Sequence, residues 1–305
     1  MSRPKVLVIG STNVDMVIKS EKLPTKGETV MGGSFYMNIG GKGANQAVAA
    51  VRAGGETVFV SKVGDDSFAK EAVTSFIKEG IHCKYIVHDE KNSTGIALIM
   101  VDNCGSNIIS VASGANSTLS QYDVYAVIDE LKHSKVVLMQ LEIPVNLVAY
   151  ITKFANKHLK PLILNPAPAT ALTDELLSKI TFITPNETEA EILTGVRIDS
   201  EKTAKQAAEY LLNKGVKNVI ITMGSQGVYI HNYEVSQLVP APIVNAVDTT
   251  AAGDTFNGAF AVAIAEGKTL IEAAKFGIKA ASISVTRLGA MQSAPTRKEI
   301  LETEL

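Results

Sequence analysis

The sequence has little of what marks an exported, membrane-bound or nucleic-acid-binding protein. Only two cysteines, Cys83 and Cys104, occur in 305 residues. That excludes a disulfide framework or a cysteine-based metal pattern and fits free thiols in a reducing cytoplasm. No apolar run approaches the roughly 20 residues that cross a bilayer. The N-terminal run, Val6-Leu7-Val8-Ile9, is too short for a signal peptide and reads as a first strand. Charged residues are 20% of the chain and the formal net charge is -2, so neither nucleic acid nor an anionic membrane is expected as a partner. Anion binding must then rest on backbone amides and single side chains. Internal repeats, low-complexity segments and the Gly-x-x-x-x-Gly-Lys-Ser/Thr spacing of a P-loop are missing as well.

What is present is an alternation. Hydrophobic residues make up 46% of the chain, enough for a large core. Short apolar runs at 5–9, 57–60, 136–140, 162–165, 182–184 and 219–222 predict strands. Helical patterns fall near 43–53, 67–79, 120–132, 145–157, 200–213, 254–266 and 270–285. Near-continuous apolar strands separated by helices imply an α/β fold, a three-layer Rossmann-like and mainly parallel sheet flanked by helices. Ligands of such sheets bind beyond the carboxyl ends of the strands. Asn13, Asp15, Glu142, Asn186 and Gly224 all follow predicted strands there.

Two stretches break the alternation. Residues 16–38 contain Met16-Val17-Ile18, Glu28-Thr29-Val30-Met31 and Ser34-Phe35-Tyr36-Met37; residues 94–112 contain two further apolar runs. A lone hairpin is marginal in water, so both are expected to join in one small, mostly antiparallel β-sheet lid over the ligand end. The expected division is a core of 1–12, 39–93 and 113–305, with 13–38 and 94–112 as the inserted lid.

The segment richest in chemistry is Asp248-Thr249-Thr250-Ala251-Ala252-Gly253-Asp254-Thr255-Phe256-Asn257-Gly258. A turn of small residues enters a helical run, so its amides and the positive end of the helix dipole make an anion site. Asp254 stands at the mouth of that site. Asp is also a favoured helix cap, and alone it reads as one. An acid beside an anion hole makes chemical sense where a hydroxyl must be oriented and deprotonated as a phosphoryl group arrives.

Gly40-Gly41-Lys42-Gly43-Ala44-Asn45-Gln46-Ala47 is a second glycine-rich turn into a helix. It lets a small ligand lie against backbone, and Asn45 offers both a donor and an acceptor to hydroxyls; by itself it is equally a plain turn. Asn13, Asp15 and Glu142 converging above one sheet suggest a polyol site. In Pro185-Asn186-Glu187-Thr188-Glu189 the acids suit a first helical turn, yet Asn186 and Glu189 share a face and could hold Mg²⁺ through waters. Thr222-Met223-Gly224-Ser225-Gln226-Gly227 is either a hairpin turn or a loop around nucleotide phosphates.

Together these motifs resemble the ribokinase-like sugar kinase family. The 40–47 block is similar to its first signature and residues 248–256 to its second; Asn165-Pro166-Ala167-Pro168 and residues 184–189 add to the likeness. Two signatures roughly 200 residues apart in the right order are far more specific than one. The resemblance, which runs nearly end to end, implies ATP-dependent phosphorylation of ribose at O5. It implies Asp254 as catalytic base, with the amides of Ala251, Ala252, Gly253 and Asp254 forming the anion hole. Asn13, Asp15, Gly41, Lys42, Asn45, Glu142 and Asp254 would bind the sugar. Asn186, Thr222, Gly224, Ser225, Gly227 and Gly253 would line the nucleotide side, with Glu189 toward Mg²⁺. Asp248, Thr250, Val285, Ala290 and Ser293 would hold an activating K⁺. A cytoplasmic homodimer formed through the lid sheet is implied too. One departure is Ala251, where many members have glycine. The nearest alternative is a kinase of the same family acting on deoxyribose, fructose or a nucleoside. A non-catalytic sugar or nucleotide sensor is a more distant one, which the intact Asp254 and anion turn oppose.

Overall fold

The apolar runs fall into register in one sheet. The computed structural model describes residues 3–305; residues 1 and 2, assigned above to the core, lie outside the described residues. The strands are β1 (Lys5–Ile9), β2 (Asn13–Lys19), β3 (Ser34–Gly40), β4 (Glu56–Gly64), β5 (His82–Asp89), β6 (Gly95–Val101) and β7 (Asn107–Ala112). They continue with β8 (Val136–Met139), β9 (Leu162–Leu164), β10 (Phe182–Ile183), β11 (Asn218–Thr222), β12 (Val228–His231) and β13 (Ser236–Val239). The main sheet has nine strands in the order β13-β12-β11-β10-β9-β8-β1-β4-β5. From β5 to β11 every pairing is parallel, and β12 and β13 add an antiparallel edge.

Because successive strand residues point to opposite faces, each central strand feeds two cores. Val6, Val8, Leu138, Ile163 and Ile220 pack in one cluster with the helices Lys42–Arg52, Ala252–Ala265 and Leu270–Ser284. Leu7, Ile9, Met139, Leu164 and Ile221 pack in the other with Val145–Lys157 and Glu201–Asn213. This is the three-layer arrangement expected from the sequence.

The two irregular stretches meet in a separate four-stranded sheet, ordered β3-β2-β6-β7. The β2–β3 and β6–β7 pairs are antiparallel hairpins, and the β2–β6 pair that joins them is parallel. One face of this sheet presents Asp15, in register with Asn38 and Ala97. The opposite face carries Ile18, Phe35, Met37, Leu98, Met100 and Ile108, all exposed.

Three local expectations fail. Residues 28–31 are not a strand: the 20–33 connection is irregular, with positive φ at Gly27, Gly32 and Gly33. Glu28 turns back there to accept hydrogen bonds from the Thr25 amide and hydroxyl, both at 3.1 Å. The helix read over 120–132 is two, Gln121–Tyr125 and Ile128–His133. It breaks where the chain tightens and Val127 N–H reaches Val124 O at 3.0 Å. Asn13 and Asp15, expected in a loop after β1, lie on β2 itself.

Candidate active site

The main sheet's carboxyl edge is roofed by two helix N-termini, those of Lys42–Arg52 and Ala252–Ala265. Asp254, in the first turn of the second helix, is only 6% exposed. Its Oδ2 accepts a hydrogen bond from Asn45 Nδ2 at 3.0 Å, and its Oδ1 one from Gln46 Nε2 at 2.9 Å. The helix is entered through Ala251 in the left-handed conformation, φ 58° and ψ 17°. Ala252 N–H is engaged by Thr249 O at 3.2 Å. The amides of Ala251, Gly253 and Asp254 have no partner among the described residues. The anion turn thus offers three amides, one fewer than the span 251–254 suggests. Beside it lies a cavity of about 160 Å³ lined by Lys42, Asn186, Glu189, Thr222, Gly253 and Asp254, among others. A side chain on Gly253 would meet nothing in the protein, so that backbone is open to a ligand.

The hydroxyl-binding candidates gather next to Asp254. Glu142 Oε2 accepts from Ser11 Oγ at 2.5 Å and from Lys42 N–H at 3.0 Å. Asn13 Oδ1 accepts from Asn116 Nδ2 at 2.8 Å, and Asn116 is itself pinned to both the amide and the carbonyl of Thr12. A Cβ on Gly40 would lie 2.2 Å from Asp15 Oδ2, so glycine there makes room for the carboxylate. Gly41 enters the helix at φ 89°, a conformation glycine adopts without penalty. Asn45 Oδ1 is buried without a hydrogen-bond partner, an acceptor suited to a ligand hydroxyl.

Charge is concentrated here. Burial, reinforced by Glu142 and Asp254 and opposed by Lys42, pushes the Asp15 carboxyl up to about 6. The Asp254 carboxylate, with Glu142, Glu189 and Asp15 behind it, holds Lys42 above its ordinary value against the effect of burial. Lys42 therefore stays protonated among three carboxylates and Glu189.

Among the residues that line the cavity, Asn186 and Glu189 form a reciprocal cap. Asn186 Oδ1 accepts from Glu189 N–H at 2.8 Å, and Glu189 Oε2 from Asn186 N–H at 2.9 Å. Burial raises the Glu189 carboxyl above its usual range, while the Asn186 amide and Lys42 oppose it. Both the capping reading and the cavity-lining reading of this pair are therefore realised. Thr222 ends β11, its N–H on Pro185 O at 2.9 Å. The turn that follows is a 3₁₀ segment over Gly224–Gln226 leading into β12, with Ser225 exposed. A Cβ on Gly227 would lie 2.1 Å from Val239 O, which accounts for that glycine.

The proposed cation loops sit side by side. Val247 N–H and Asp248 N–H both donate to Val285 O, at 2.7 and 3.1 Å. Asp248 accepts from Thr250 N–H at 2.9 Å and from Gly289 N–H at 3.0 Å. Burial works against its charge, but these bonds outweigh it and hold the carboxyl below its ordinary value. Ser293 Oγ donates to Ala290 O at 2.7 Å. These bonds tie the 247–250 loop to Val285 and Gly289. Among the described residues no group of three or more His, Cys, Asp or Glu is arranged to hold a metal ion.

Sequence reasoning overlooked Gln46, Gln140, Asn165, Thr184, Asn257, Ser11 and Asn116 as parts of this site. A signal existed: Gln140, Asn165 and Thr184 are the first polar residues after three apolar strands, β8, β9 and β10. A cavity of about 610 Å³ lies elsewhere, between the Val145–Lys157 helix and the 117–122 segment, and is lined by none of the expected site residues.

Residues 3–297 match the pfkB family carbohydrate kinase family. The chain is 46% identical over 300 residues to a ribokinase of Haemophilus influenzae, covering 98% of each. It is 38% identical over 298 residues to a deoxyribokinase of Salmonella typhi, covering 97% of each. A ribokinase of Arabidopsis thaliana, solved with ribose and ATP, superposes with a TM-score of 0.90 at 34% identity, over 99% of this chain and 98% of that one.

Proposed function

The chain belongs to the pfkB family of carbohydrate kinases, and we propose that it transfers the γ-phosphoryl group of ATP to the 5-hydroxyl of D-ribose. The observation that carries this reading is Asp254. Its carboxylate is buried, held by Asn45 and Gln46, and flanked by the free amides of Gly253 and its own residue. Such an acid has a hydroxyl-binding site on one side and an anion site on the other.

Ribose lies between Asn13 and Asp15 of β2 and Asn45 and Glu142 of the core. Its 5-hydroxyl donates to Asp254. As the new O–P bond forms and the bond from phosphorus to the β,γ-bridging oxygen breaks, the hydroxyl proton passes to Asp254 and ADP leaves. The amides of Ala251, Gly253 and Asp254 face the transferring group, and the Lys42 ammonium offsets its charge. Phosphoryl transfer of this kind has a loose transition state, so holding the two oxygens in line with phosphorus contributes more than basicity. Glu189 and Asn186 would hold Mg²⁺ through waters, where it neutralises phosphate charge. Asp248, Thr250, Val285, Ala290 and Ser293 would hold K⁺, which supplies a fixed positive charge beside the anion turn.

Residues 13–38 and 94–112 act as a lid, since they carry Asn13 and Asp15 over the site. The lid's apolar face, with Phe35 60% and Leu98 54% exposed, is covered by a second copy in a homodimer. Two unpaired cysteines suit a cytoplasmic setting.

A coupled ADP-release assay across ribose, deoxyribose, fructose and adenosine tests the substrate. Ribose is expected to give the highest kcat/KM. Preference for deoxyribose, which the Salmonella relative's name makes the sharpest competitor, would reassign the sugar while leaving the chemistry intact. Absence of turnover on all four would reject the kinase reading.

A further inference from the structure

We propose that Gln46 is a positioning residue, the keystone of a closed ring of hydrogen bonds that fixes the catalytic carboxylate and the anion turn as one unit. The proposal rests on the kinase reading above. Gln46 Nε2 donates both to Asp254 Oδ1 at 2.9 Å and to Asn165 Oδ1 at 3.0 Å. Asn165 Nδ2 donates to Thr184 O at 3.0 Å, and Thr184 Oγ1 to Asn257 Oδ1 at 2.6 Å. Asn257 Nδ2 donates to Gly253 O at 2.8 Å. The covalent link from Gly253 to Asp254 closes the ring.

Its construction leaves little freedom. Gln46 is fully buried, Thr184 and Asn257 are each 1% exposed and Asn165 is 7%. The Gln46 amide is oriented by Asp254, whose carboxylate accepts from its Nε2, and its Oε1 then accepts from Gln140 Nε2 at 2.6 Å. The NH₂ group is thereby left to the two acceptors. Gln140 in turn fits only beside a glycine: a Cβ on Gly10 would lie 2.1 Å from Gln140 Oε1. Gln140, Asn165 and Thr184 each follow directly on β8, β9 and β10, adjacent parallel strands. The stiffest part of the fold therefore sets their spacing.

The ring acts at two points. At Asp254 it fixes the rotation of the carboxylate about the side-chain bond, so the lone pair meant for the 5-hydroxyl keeps its aim. At Gly253 it holds the carbonyl of the peptide unit whose N–H belongs to Asp254, and so sets the direction of one free amide of the anion turn. Gln140 Oε1 is buried without a partner, but the ring's own side-chain atoms all have one, and a buried network satisfied in that way is rigid. It therefore supplies geometry to the transition state and contributes little to sugar affinity.

Gln46→Met keeps the volume and removes the donor. The expected result is a fall in kcat of about 30- to 100-fold, the loss that misplacement by roughly 1 Å brings, with ribose KM within about threefold. In an Asp254→Asn background the same change should cost much less, because its action on the carboxylate is already lost and only the part that reaches the anion turn through Gly253 remains. A structural residue would lower both backgrounds alike. Thr184→Val should lower kcat in the same direction and Thr184→Ser restore it, which decides the matter even if Gln46→Met does not fold. Wild-type kcat in both Gln46→Met and Thr184→Val, or full additivity with Asp254→Asn, overturns the ring. If wild-type turns over ribose and Asp254→Asn does not, that failure leaves the kinase reading standing.

Discussion

A Cβ on Gly258 would lie 2.5 Å from the Cβ of Ala49 and 2.6 Å from Gln46 O. At this point the Lys42–Arg52 and Ala252–Ala265 helices touch with only the Ala49 methyl between their backbones. Gly258 and Asp254 are four residues apart and share a helix face. The missing side chain at one therefore sets how near Gln46 and Asn45 come to the other. The glycine that looks most like a packing residue is a condition for the contacts of Asn45 and Gln46 with Asp254.

Asp254→Asn keeps the shape and removes the proton acceptor. Turnover should fall by roughly two powers of ten or more, the usual contribution of a general base, with ribose binding little changed. Steady-state kinetics with a direct ribose-binding titration separates the two. Near-normal turnover would reject Asp254 as the base.

Asp15 gives the site a pH dependence of defined sign. Its folded value, about 6, lies above its unfolded value, so the native state binds more protons between the two. Its contribution to stability is therefore largest below the ordinary carboxylate range and falls as pH rises through about 6. Asp15→Asn should raise the melting temperature more near neutral pH than near pH 4. It should also raise ribose KM roughly tenfold, as loss of a buried acceptor does. In the wild type, ribose KM should climb as pH drops below about 6. A flat profile would remove Asp15 from the sugar.

Ala251 holds a left-handed conformation that costs a non-glycine residue about 1–2 kcal/mol. Ala251→Gly relieves it and gives back about 0.5–1 kcal/mol to the freer unfolded chain. A net gain of up to about 1 kcal/mol in denaturant unfolding is expected. Ala251→Val should lose stability, since a β-branched residue tolerates this region least. Equal stability in all three would show that the turn is unstrained.

K⁺ should raise activity over Na⁺ at fixed ionic strength. Asp248→Ala should abolish the difference, since its Oδ1 accepts from Thr250 N–H in its own loop and its Oδ2 from Gly289 N–H in the other. An identical rate in the two salts would take Asp248 out of any cation role.

Much of this was legible in the sequence because it is local. Strands β1 and β8 to β11 announce themselves as apolar runs, and the small-residue turns at 40–43 and 251–253 as the entries to two helices. What escaped depends on pairing. β5 alternates charged and half-buried residues as an edge strand does, and so lacks the apolar run that marks a buried strand. The parallel β2–β6 pair unites segments separated by the whole of β3 to β5, which no local pattern encodes. Gln46, Gln140 and Asn165 read as helix or strand residues because their role lies in one another's distance.

One consequence of the second sheet concerns what a binding constant means here. Asn13 and Asp15 ride on β2, while Asn45, Glu142 and Asp254 belong to the core. A sugar held by both sets is a strut between two sheets. Its measured affinity therefore includes the work of bringing those sheets together. A substitution in the β2–β6 pairing, remote from every hydroxyl, should weaken the sugar as surely as one that touches it.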